Sequence, residues 1–330
     1  MLFLHPIAFS QLNFNPLRTL FIFLLALFVS SLTVSGQQDP SVSKKKEQKK
    51  TQNHGQKEEE EDPNPFPLHK FEFGLNFGAY FANKYSANFY NGSPGNVNNI
   101  NYIMSNPTWK RAIRQSLGID ESDTITQLTI DGYPTNMKYK VAFSGGLFLR
   151  INFNRRNGIF LQADYAQLKA ADVVTMLVYN PVAPSSLPDY RMEQVLGTEG
   201  RVMIDLGYQR SFPLKSRINL FIQGGATMCY TQVIQSIFVV EGKQYNLVNV
   251  YGSQGYQPGY NSQTFNVNQN EFGFGGYLGV GAGIPLTSMF TLEPSFFAHY
   301  YPTNLEGYPG FKPSFGLYLR ILMFFGTTED

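Results

Sequence analysis

The chain has 330 residues and a formal net charge of +2, which gives no sign of nucleic-acid binding through bulk charge. Charged residues make up 15% of the sequence, below the share of about 25% usual in soluble domains, and aromatic residues make up another 15%. The single cysteine, Cys229, excludes an intramolecular disulfide and a cysteine-cluster metal site, and we expect neither a metal nor a cofactor.

Residues 1–36 have the organisation of a signal peptide. Arg18 precedes the apolar run TLFIFLLALFVSSL, which is shorter than the roughly 20 residues of a membrane-spanning helix. Small residues follow in VSG, so we expect cleavage between Gly36 and Gln37. An uncleaved anchor helix is the alternative.

Residues 37–68 contain few apolar side chains. A basic block at 44–50 is followed by an acidic block at 58–62, and neither block can contribute to an apolar core. We therefore expect a disordered, charged periplasmic linker that acts as a solvated tether. A contact with the cell wall or with a partner protein is the alternative for this segment.

Eight segments of the remaining chain alternate apolar and polar side chains with the period of a β-strand. They lie at 71–83, 140–153, 158–171, 200–212, 218–231, 271–284, 289–301 and 314–326. Most of them supply the 9–11 residues with which a tilted strand crosses a bilayer. Because no other apolar run approaches the length of a spanning helix, the mature chain would enter a membrane by strands.

The connections between these segments alternate in length. The short connections lie at 156–158, 213–216 and 285–288, and the long ones at 83–139, 172–199, 232–270 and 302–313. Short turns at one end and long loops at the other are typical of bacterial outer-membrane barrels. The sequence therefore predicts an all-β fold over residues 69–326: an eight-stranded antiparallel up-and-down transmembrane β-barrel with short periplasmic turns and long extracellular loops.

The two faces of the eight segments differ in charge. In the central part of each segment the apolar face carries no charged residue, whereas the opposite faces carry charges of both signs. In an eight-stranded barrel the charged faces line a lumen just wide enough for packed side chains, where an unpaired charge is costly. We therefore predict a side-chain-filled lumen with a network of paired charges. Its members are Glu72, Arg150, Asp164, Arg201, Asp205, Glu293 and Arg320.

The hairpin of the second and third segments gives a specific prediction of register. If its loop is residues 156–158, with the glycine in the left-handed conformation, Arg150 faces Asp164 as an ion pair in the lumen. The same register places Leu149 opposite Tyr165, as an apolar pair against lipid.

Aromatic residues gather at both ends of the apolar faces, as in the two interfacial girdles of membrane barrels. Those at the short-turn end are Phe71, Phe153, Tyr208, Phe290 and Phe325. Those at the long-loop end are Phe81, Phe143, Tyr230, Phe272, Tyr300 and Phe315. A general abundance of aromatic residues is the alternative explanation.

The glycine-rich segment GFGGYLGVGAG lacks the spacing of a nucleotide-binding loop, and Pro285 blocks a following helix. Its glycines share the inner face of the sixth segment, where they would leave room for arginine and tyrosine side chains of other strands. These residues are Gly273, Gly275, Gly279, Gly281 and Gly283.

Together these features resemble the eight-stranded outer-membrane β-barrel proteins of Bacteroidota, often called porin-family or PorT-family proteins. The resemblance covers residues 70–330 and is supported by a signal peptide ending in SGQQ and by the rhythm of short and long connections. The final strand, SFGLYLRILMFF, is similar to a barrel-assembly signal, although Phe325 is followed by GTTED and is not the last residue. The resemblance implies an outer-membrane location. PorT-like members are linked to protein secretion and gliding systems, and no motif here singles out that role.

His299 is the candidate for catalytic chemistry. It is expected to point inward near the outer rim of the seventh segment, with Glu293 and Ser295 on the same face. Some barrel enzymes that modify lipid A use a histidine, a serine and a carboxylate near the rim. His299 and Ser295 are four residues apart, roughly 13 Å along a strand, which is too far for a catalytic pair. We therefore expect no catalytic residue, and a hydrogen-bonding or recognition role for His299 at the rim.

The first long connection contains the stretch SNPTWKRAIRQSLGID, for which we predict a helix. Asn106 is suited to the N-cap, Pro107 to the first turn and Gly118 to the C-terminal stop. Its candidate recognition residues are Trp109, Lys110, Arg111 and Arg114. The helix either caps the barrel mouth, which we favour, or presents its basic residues to lipopolysaccharide phosphates or a partner protein. The 232–270 loop, rich in Tyr, Asn, Gln and Gly, suits recognition and equally suits an exposed loop.

These observations favour a monomeric outer-membrane barrel that is not an enzyme and has a structural, adhesive or secretion/assembly-accessory role. Its expected partners are outer-membrane lipid and lipopolysaccharide, with periplasmic or outer-membrane proteins as further candidates and no nucleic acid. A lipid A-modifying enzyme is one alternative. A narrow diffusion porin is another, less favoured because eight strands leave little open lumen.

Overall fold

The computed structural model describes residues 69–182, 187–214, 218–247, 270–287 and 289–324. The predicted signal peptide, the predicted linker, residues 248–269 of the long loop and Phe325 lie outside the described residues. Within the described residues, no helix is both long and apolar enough to cross a membrane.

Ten strands are present in the described part of the chain, and eight of them close into a ring. The strands are β1 Phe71–Phe81, β2 Gln127–Gly132, β3 Ala142–Asn154, β4 Asn157–Tyr179, β5 Asp189–Pro213, β6 Asn219–Val240, β7 Lys243–Asn246, β8 Asn270–Pro285, β9 Phe290–Pro302 and β10 Phe311–Phe324. The antiparallel ring runs β1–β3–β4–β5–β6–β8–β9–β10, and β10 pairs back with β1. The predicted eight-stranded barrel is therefore confirmed. Strands β2 and β7 add to the long-loop ends of β4 and β6.

A zone of exposed apolar side chains surrounds the ring, and we call it the belt. The predicted apolar faces point outward, and their large exposed members include Phe77, Phe143, Leu149, Phe153, Leu161, Leu206, Ile222, Phe274, Leu278, Phe296, Leu317 and Leu319. Most of the predicted girdle residues are also exposed at its two edges: Phe71, Phe81, Tyr208, Phe272, Phe290, Tyr300 and Phe315. An apolar surface this continuous is abnormal for a soluble monomer and marks an environment other than water.

Beyond the belt, the inner face of β4 becomes mainly apolar and its outer face gains polar residues. On β4 the outward side chains that follow Tyr165 are the exposed Gln167 and Lys169. The buried inward ones are apolar: Leu168, Ala170, Val174 and Met176. On this strand the inner face is thus mainly apolar beyond the belt, while the outer face is mixed, since Val173 is also exposed there.

The polar residues on the outer face of β4 explain an error in the predicted strand lengths. Residues 172–199 were expected to form a long loop, but β4 continues to Tyr179 and β5 begins at Asp189. On β6, an extra residue, Ile234, opposes β5 and shifts the inward positions, as a β-bulge does. Because Gln167 and Lys169 interrupt the outward apolar face of β4, a search for one continuous apolar face ends before the strand does.

The connection between β1 and β3 folds over the long-loop mouth of the ring, and we call residues 84–139 the cap. It contains a 3₁₀ helix, Lys84–Tyr90, and two α-helices, α1 Asn101–Ser105 and α2 Pro107–Ser116. One apolar cluster joins the cap to the inner surface of β4–β6: Phe89, Tyr90, Ile100, Ile103, Ile113, Leu128 and Met137 from the cap, and Val174, Met176, Val195, Val233 and Phe238 from the strands. Since burying each large apolar side chain contributes about 1.5–3 kcal/mol, the cap has a packed core.

The turn between β3 and β4 differs from the predicted three-residue loop. Asn154 pairs with Asn157, which leaves only two residues in the loop. The Asn154 side-chain oxygen accepts a hydrogen bond from the backbone N–H of Arg156 at 2.9 Å, as in an Asx-turn. Gly158 lies within β4 and is not among the described glycines with positive φ.

This turn changes the register of the hairpin. The facing pairs are Arg150 with Phe160, Gly146 with Asp164, Leu149 with Leu161 and Gly145 with Tyr165. The predicted pairings of Arg150 with Asp164 and of Leu149 with Tyr165 are therefore wrong. Because the error is an even number of residues, each of these side chains keeps its predicted face.

Candidate functional site

The enclosed lumen contains the predicted charged residues, and two of its arginines share one glutamate near the short-turn end. Arg150 donates hydrogen bonds to Glu72 and, at 3.1 Å, to Glu293. Arg320 donates to the other oxygen of Glu293 at 2.8 Å. All four side chains are buried. Their charges balance, which lowers the cost of enclosing them.

Arg320 is the centre of this network. Its guanidinium is fully buried and also donates to Asn76 at 2.9 Å and to Gln162 at 2.7 Å. It lies 3.5 Å from the centroid of the Phe148 ring, in cation–π geometry. Every side of the guanidinium therefore has a partner, which fixes its position across the lumen.

Aromatic side chains fill the lumen beside Arg320. The buried cluster consists of Phe148, Phe160, Tyr277, Phe297, Tyr318 and Leu322. The glycines of β8 were expected to make room for arginine and tyrosine side chains. At Gly279 and Gly281 the nearest side chains are instead Phe297 and Phe221, whose rings a Cβ at these positions would overlap.

His299 lies inside the lumen and not at the rim. It is 1% exposed, and its Nε2 lies 3.1 Å from Oδ2 of the buried Asp205. The expected rim position is wrong because the next inward residue of β9, Tyr301, is also buried, in a layer closer to the long-loop end. No hydrogen bond joins His299 to a serine within the described ranges. Ser295 instead donates to the Tyr318 carbonyl.

Asp164 is enclosed by amide groups. Asn76 donates to its Oδ1 at 3.1 Å, and Gln162 donates to its Oδ2. Its predicted partner, Arg150, is bound to Glu72 and Glu293. Asp164 is thus held by hydrogen bonds from neutral groups rather than by an ion pair with Arg150.

A second ion pair lies between the lumen and the cap. Arg201 donates to Glu199 at 2.7 Å, and both side chains are fully buried. Two cap residues, Tyr90 and Tyr139, donate their hydroxyls to Glu199 at 2.6 and 2.9 Å. Arg201 also donates to the cap residue Ser86 at 3.1 Å. This layer joins the cap to the barrel wall.

Glu199 was missed by the sequence prediction. It lies on β5 just before the segment recognised as a strand. The available signal was its spacing of two residues from Arg201, which places both side chains on the same face of a strand.

The cap helix α2 begins as predicted and packs on the barrel. The Asn106 side chain accepts from the backbone N–H groups of Thr108 and Trp109, and Pro107 occupies the first turn. Trp109 packs against the apolar cluster that joins the cap to the barrel, and Ile113 is fully buried in this cluster. Helix α2 therefore covers the long-loop mouth of the barrel.

The basic residues of α2 have different environments. Lys110 and Arg111 are exposed, and Arg111 lies 3.5 Å from the exposed Glu121. Arg114 donates to the carbonyl oxygens of Asp123 and, at 2.7 Å, Thr126. Arg114 is thus part of the internal structure of the cap, and the basic surface of this helix is narrower than expected.

Asp123 organises the turn that Arg114 contacts and gives the cap a pH dependence. The Thr126 hydroxyl and the backbone N–H groups of Thr126 and Ile125 donate to its carboxylate, and these bonds lower the pKa of Asp123. A lowered pKa stabilises the folded turn above the ordinary aspartate range, and this stabilisation is lost as pH falls through the lowered pKa. We expect the hydrogen-exchange protection factor of the Thr126 amide to decrease over that range. Asp123→Asn should remove this pH dependence, and a constant protection factor in the parent protein would contradict the assignment.

The chain is similar in fold to several solved structures. No protein-family model matches it, and no curated protein sequence matches it. Neisserial surface protein A is 10% identical with a TM-score of 0.33, covering 78% of this chain and 97% of that one. The attachment invasion locus protein Ail of Yersinia pestis is 11% identical with a TM-score of 0.29, covering 77% and 98%. The outer membrane protein OprG of Pseudomonas aeruginosa is 12% identical with a TM-score of 0.32, covering 79% and 96%. Similarity at this level does not inform the function of this chain.

Proposed function

We propose that the chain is an outer-membrane β-barrel without enzymatic activity, whose filled barrel anchors a folded external cap that contacts a partner. The observation that carries this proposal is the closed ring of eight strands with an apolar outer belt and an enclosed polar lumen, covered by a cap with an apolar core. Side chains in the belt suit lipid outside and a polar lumen inside, whereas the inner face of β4–β6 beyond the belt packs with the cap in an apolar core. The short turns would then face the periplasm and the cap the exterior.

Replacing Leu206 with arginine tests the membrane placement. Leu206 is 60% exposed in the belt, where lipid would make an arginine cost about 2–4 kcal/mol, whereas water would make it nearly neutral. We expect a loss of that size in the free energy of unfolding in lipid vesicles, measured by denaturant titration. The matched control is Gln167→Arg, just beyond the belt, with an expected cost of about 0–1 kcal/mol. Equal effects of the two substitutions would count against the proposal.

The filling of the lumen favours this proposal over a narrow diffusion porin. The ion pairs around Arg320, the aromatic cluster and the Arg201 layer lie one after another along the lumen. We expect no stepwise conductance from the purified protein in planar bilayers. Reproducible single-channel steps that disappear in a heat-unfolded sample would favour the porin instead.

The environment of His299 supports a non-enzymatic role. A lipid A-modifying enzyme needs its reacting groups where lipid can reach them, and His299 is enclosed beside Asp205. We expect lipid A from cells lacking the gene to have the same mass spectrum as lipid A from parent cells. A mass difference restored by the parent gene and not by His299→Ala would favour the enzyme.

The partner-binding part of the proposal rests on the cap, which presents a surface held in place by its own core. A photo-crosslinking amino acid at Arg111, exposed on α2, should capture the same protein repeatedly from intact cells. The same amino acid at Leu206, in the belt, should not capture that protein. The absence of any cap-specific product would favour a purely structural role. The resemblance to PorT-like barrels makes a component of a secretion or assembly complex our preferred partner.

A further inference from the structure

The lumen encloses more carboxylate side chains than arginine side chains. Its buried carboxylates are Glu72, Asp164, Glu199, Asp205 and Glu293, against the three arginines Arg150, Arg201 and Arg320. The arginines pair with the three glutamates. Asp164 is held by two amide groups, and Asp205 has His299 on one oxygen. A buried carboxylate of this kind needs further hydrogen-bond donors.

Several buried polar atoms lie along one inner stripe of the barrel wall, on β5, β6 and the adjoining β8 and β9. Each lacks a hydrogen-bond partner among the described residues. They are Oδ1 of Asp205, Oγ1 of Thr227, the hydroxyl of Tyr277, Oε1 of Gln223 and Nδ1 of His299. All five side chains are at most 4% exposed. Buried polar atoms of native proteins bind protein groups or ordered water, so a run of them marks a hydrated path.

The register connects these atoms in order. Asp205 faces Thr227 directly across β5 and β6. The Tyr277 hydroxyl lies over Gly207, the next inward position of β5, where a Cβ would collide with it. The following inward position is Gln209, which accepts a hydrogen bond from Gln223 at 2.5 Å. Inward positions of a strand are about 6.6 Å apart, a gap that a chain of one or two waters spans at hydrogen-bond distances of about 2.8 Å.

The stripe opens at the short-turn end and is closed at the other. Gln209 lines a cavity of about 90 Å³ at the short-turn end, together with Glu72, Arg150 and Glu293. This cavity has room for about three waters at roughly 30 Å³ each. At the opposite end, Cys229 is the inward residue of β6 that follows Thr227, and it is fully buried in the layer of Tyr80, Tyr301 and Met203.

We propose that a single file of water runs from this cavity along the stripe to the Asp205–His299 pair, so that the pair is hydrated from the periplasmic end only. The waters supply the donors that Asp205 lacks and bind the hydroxyls of Thr227 and Tyr277. The barrel is then a half-channel: water enters it from one end, reaches about its middle and goes no further. The periplasmic assignment of that side rests on the proposed membrane orientation.

A cysteine placed on the stripe tests the file. In a Cys229→Ser background, Thr227→Cys puts the sole thiol of the chain at the proposed upper end. The probe is silver ion, which is small enough to follow water: the thiol loses its proton to solvent as the S–Ag bond forms. Folded protein in detergent is exposed to silver and then unfolded, and the remaining thiol is counted by mass spectrometry after maleimide labelling. Gln223→Cys in the same background is a second reporter if the first variant fails to fold.

We expect the cysteine at 227 to be modified at least tenfold faster than Cys229 of the parent chain, one inward position further along. Gln209→Leu, which removes the polar step at the cavity, should slow modification at 227 at least tenfold. The matched control is Gln194→Leu, an exposed position of the same strand, which should leave the rate unchanged. A thiol on the stripe that stays unmodified in folded protein overturns the file, as does an equal rate with and without Gln209.

Failure of the water file is distinguishable from failure of the proposed function. If the barrel were an open pore, the cysteine at 227 and Cys229 would react at similar rates and the bilayer would conduct. If the barrel is closed and the file is absent, neither thiol reacts and the bilayer remains silent. Only rapid reaction at 227, slow reaction at Cys229 and no conductance support both inferences.

Discussion

Replacing Arg320 with methionine is expected to destabilise the barrel by about 3–5 kcal/mol, the cost of breaking a buried ion pair by removing one partner. The substitution keeps much of the side-chain volume but removes the donors to Glu293, Asn76 and Gln162. Glu293 would then depend on Arg150, which it already shares with Glu72. The change is measurable as the difference in free energy of unfolding in vesicles.

Two further variants make this prediction specific. Arg210→Met removes an exposed arginine of β5 and should change the unfolding free energy by no more than about 0.5 kcal/mol. Arg320→Lys keeps the charge but loses the planar arrangement of donors, so its effect should lie between the two. If Arg320→Met were no more destabilising than Arg210→Met, the network would not contribute to stability as we infer.

Replacing Glu199 with alanine is expected to release the cap from the barrel while the belt remains folded. Arg201 would lose its buried counter-charge, and the hydroxyls of Tyr90 and Tyr139 would lose their acceptor. The local cost is again about 3–5 kcal/mol. Amide hydrogen exchange should become faster across residues 84–139 and remain slow in the belt part of β8–β10.

Glu121→Ala is the control for this prediction. Glu121 is exposed on the cap and lies 3.5 Å from Arg111, a surface pair worth at most about 1 kcal/mol. Its removal should leave exchange in the cap unchanged. Uniform acceleration over the cap and the belt in Glu199→Ala would mean that the cap does not open separately, contrary to the two-layer organisation.

The belt could be predicted from the sequence because lipid and lumen impose opposite polarity on alternate residues. That rule assigned Arg150, Asp164 and Arg320 to the inside correctly. It could not assign partners, since alternation fixes the face of a residue and the turn fixes its register. The hairpin turn depended on the side chain of Asn154, which a search for glycine-containing loops did not consider.

The cap was harder to predict because its structure depends on long-range packing. The helix start at Asn106 is a local signal and was found. The extensions of β4–β6 are stabilised by contact with residues about 60–150 positions away. Ile113, for example, packs in the same apolar cluster as Phe238. The role of Glu199 likewise depends on Tyr90 and Tyr139, whose proximity no local pattern records.

The shared core of the cap also constrains the order of biogenesis. In the proposed membrane orientation, residues 84–139 would emerge from export before β4–β6, yet seven of the eighteen buried residues of the cluster that includes Ile103, Ile113 and Phe89 belong to those later strands. During transit these apolar side chains have no native partner and are open to aggregation. We infer that the cap completes its folding only after β6 has joined the sheet. A periplasmic chaperone would therefore be needed longest for the part of the chain that the proposed orientation places outside the cell.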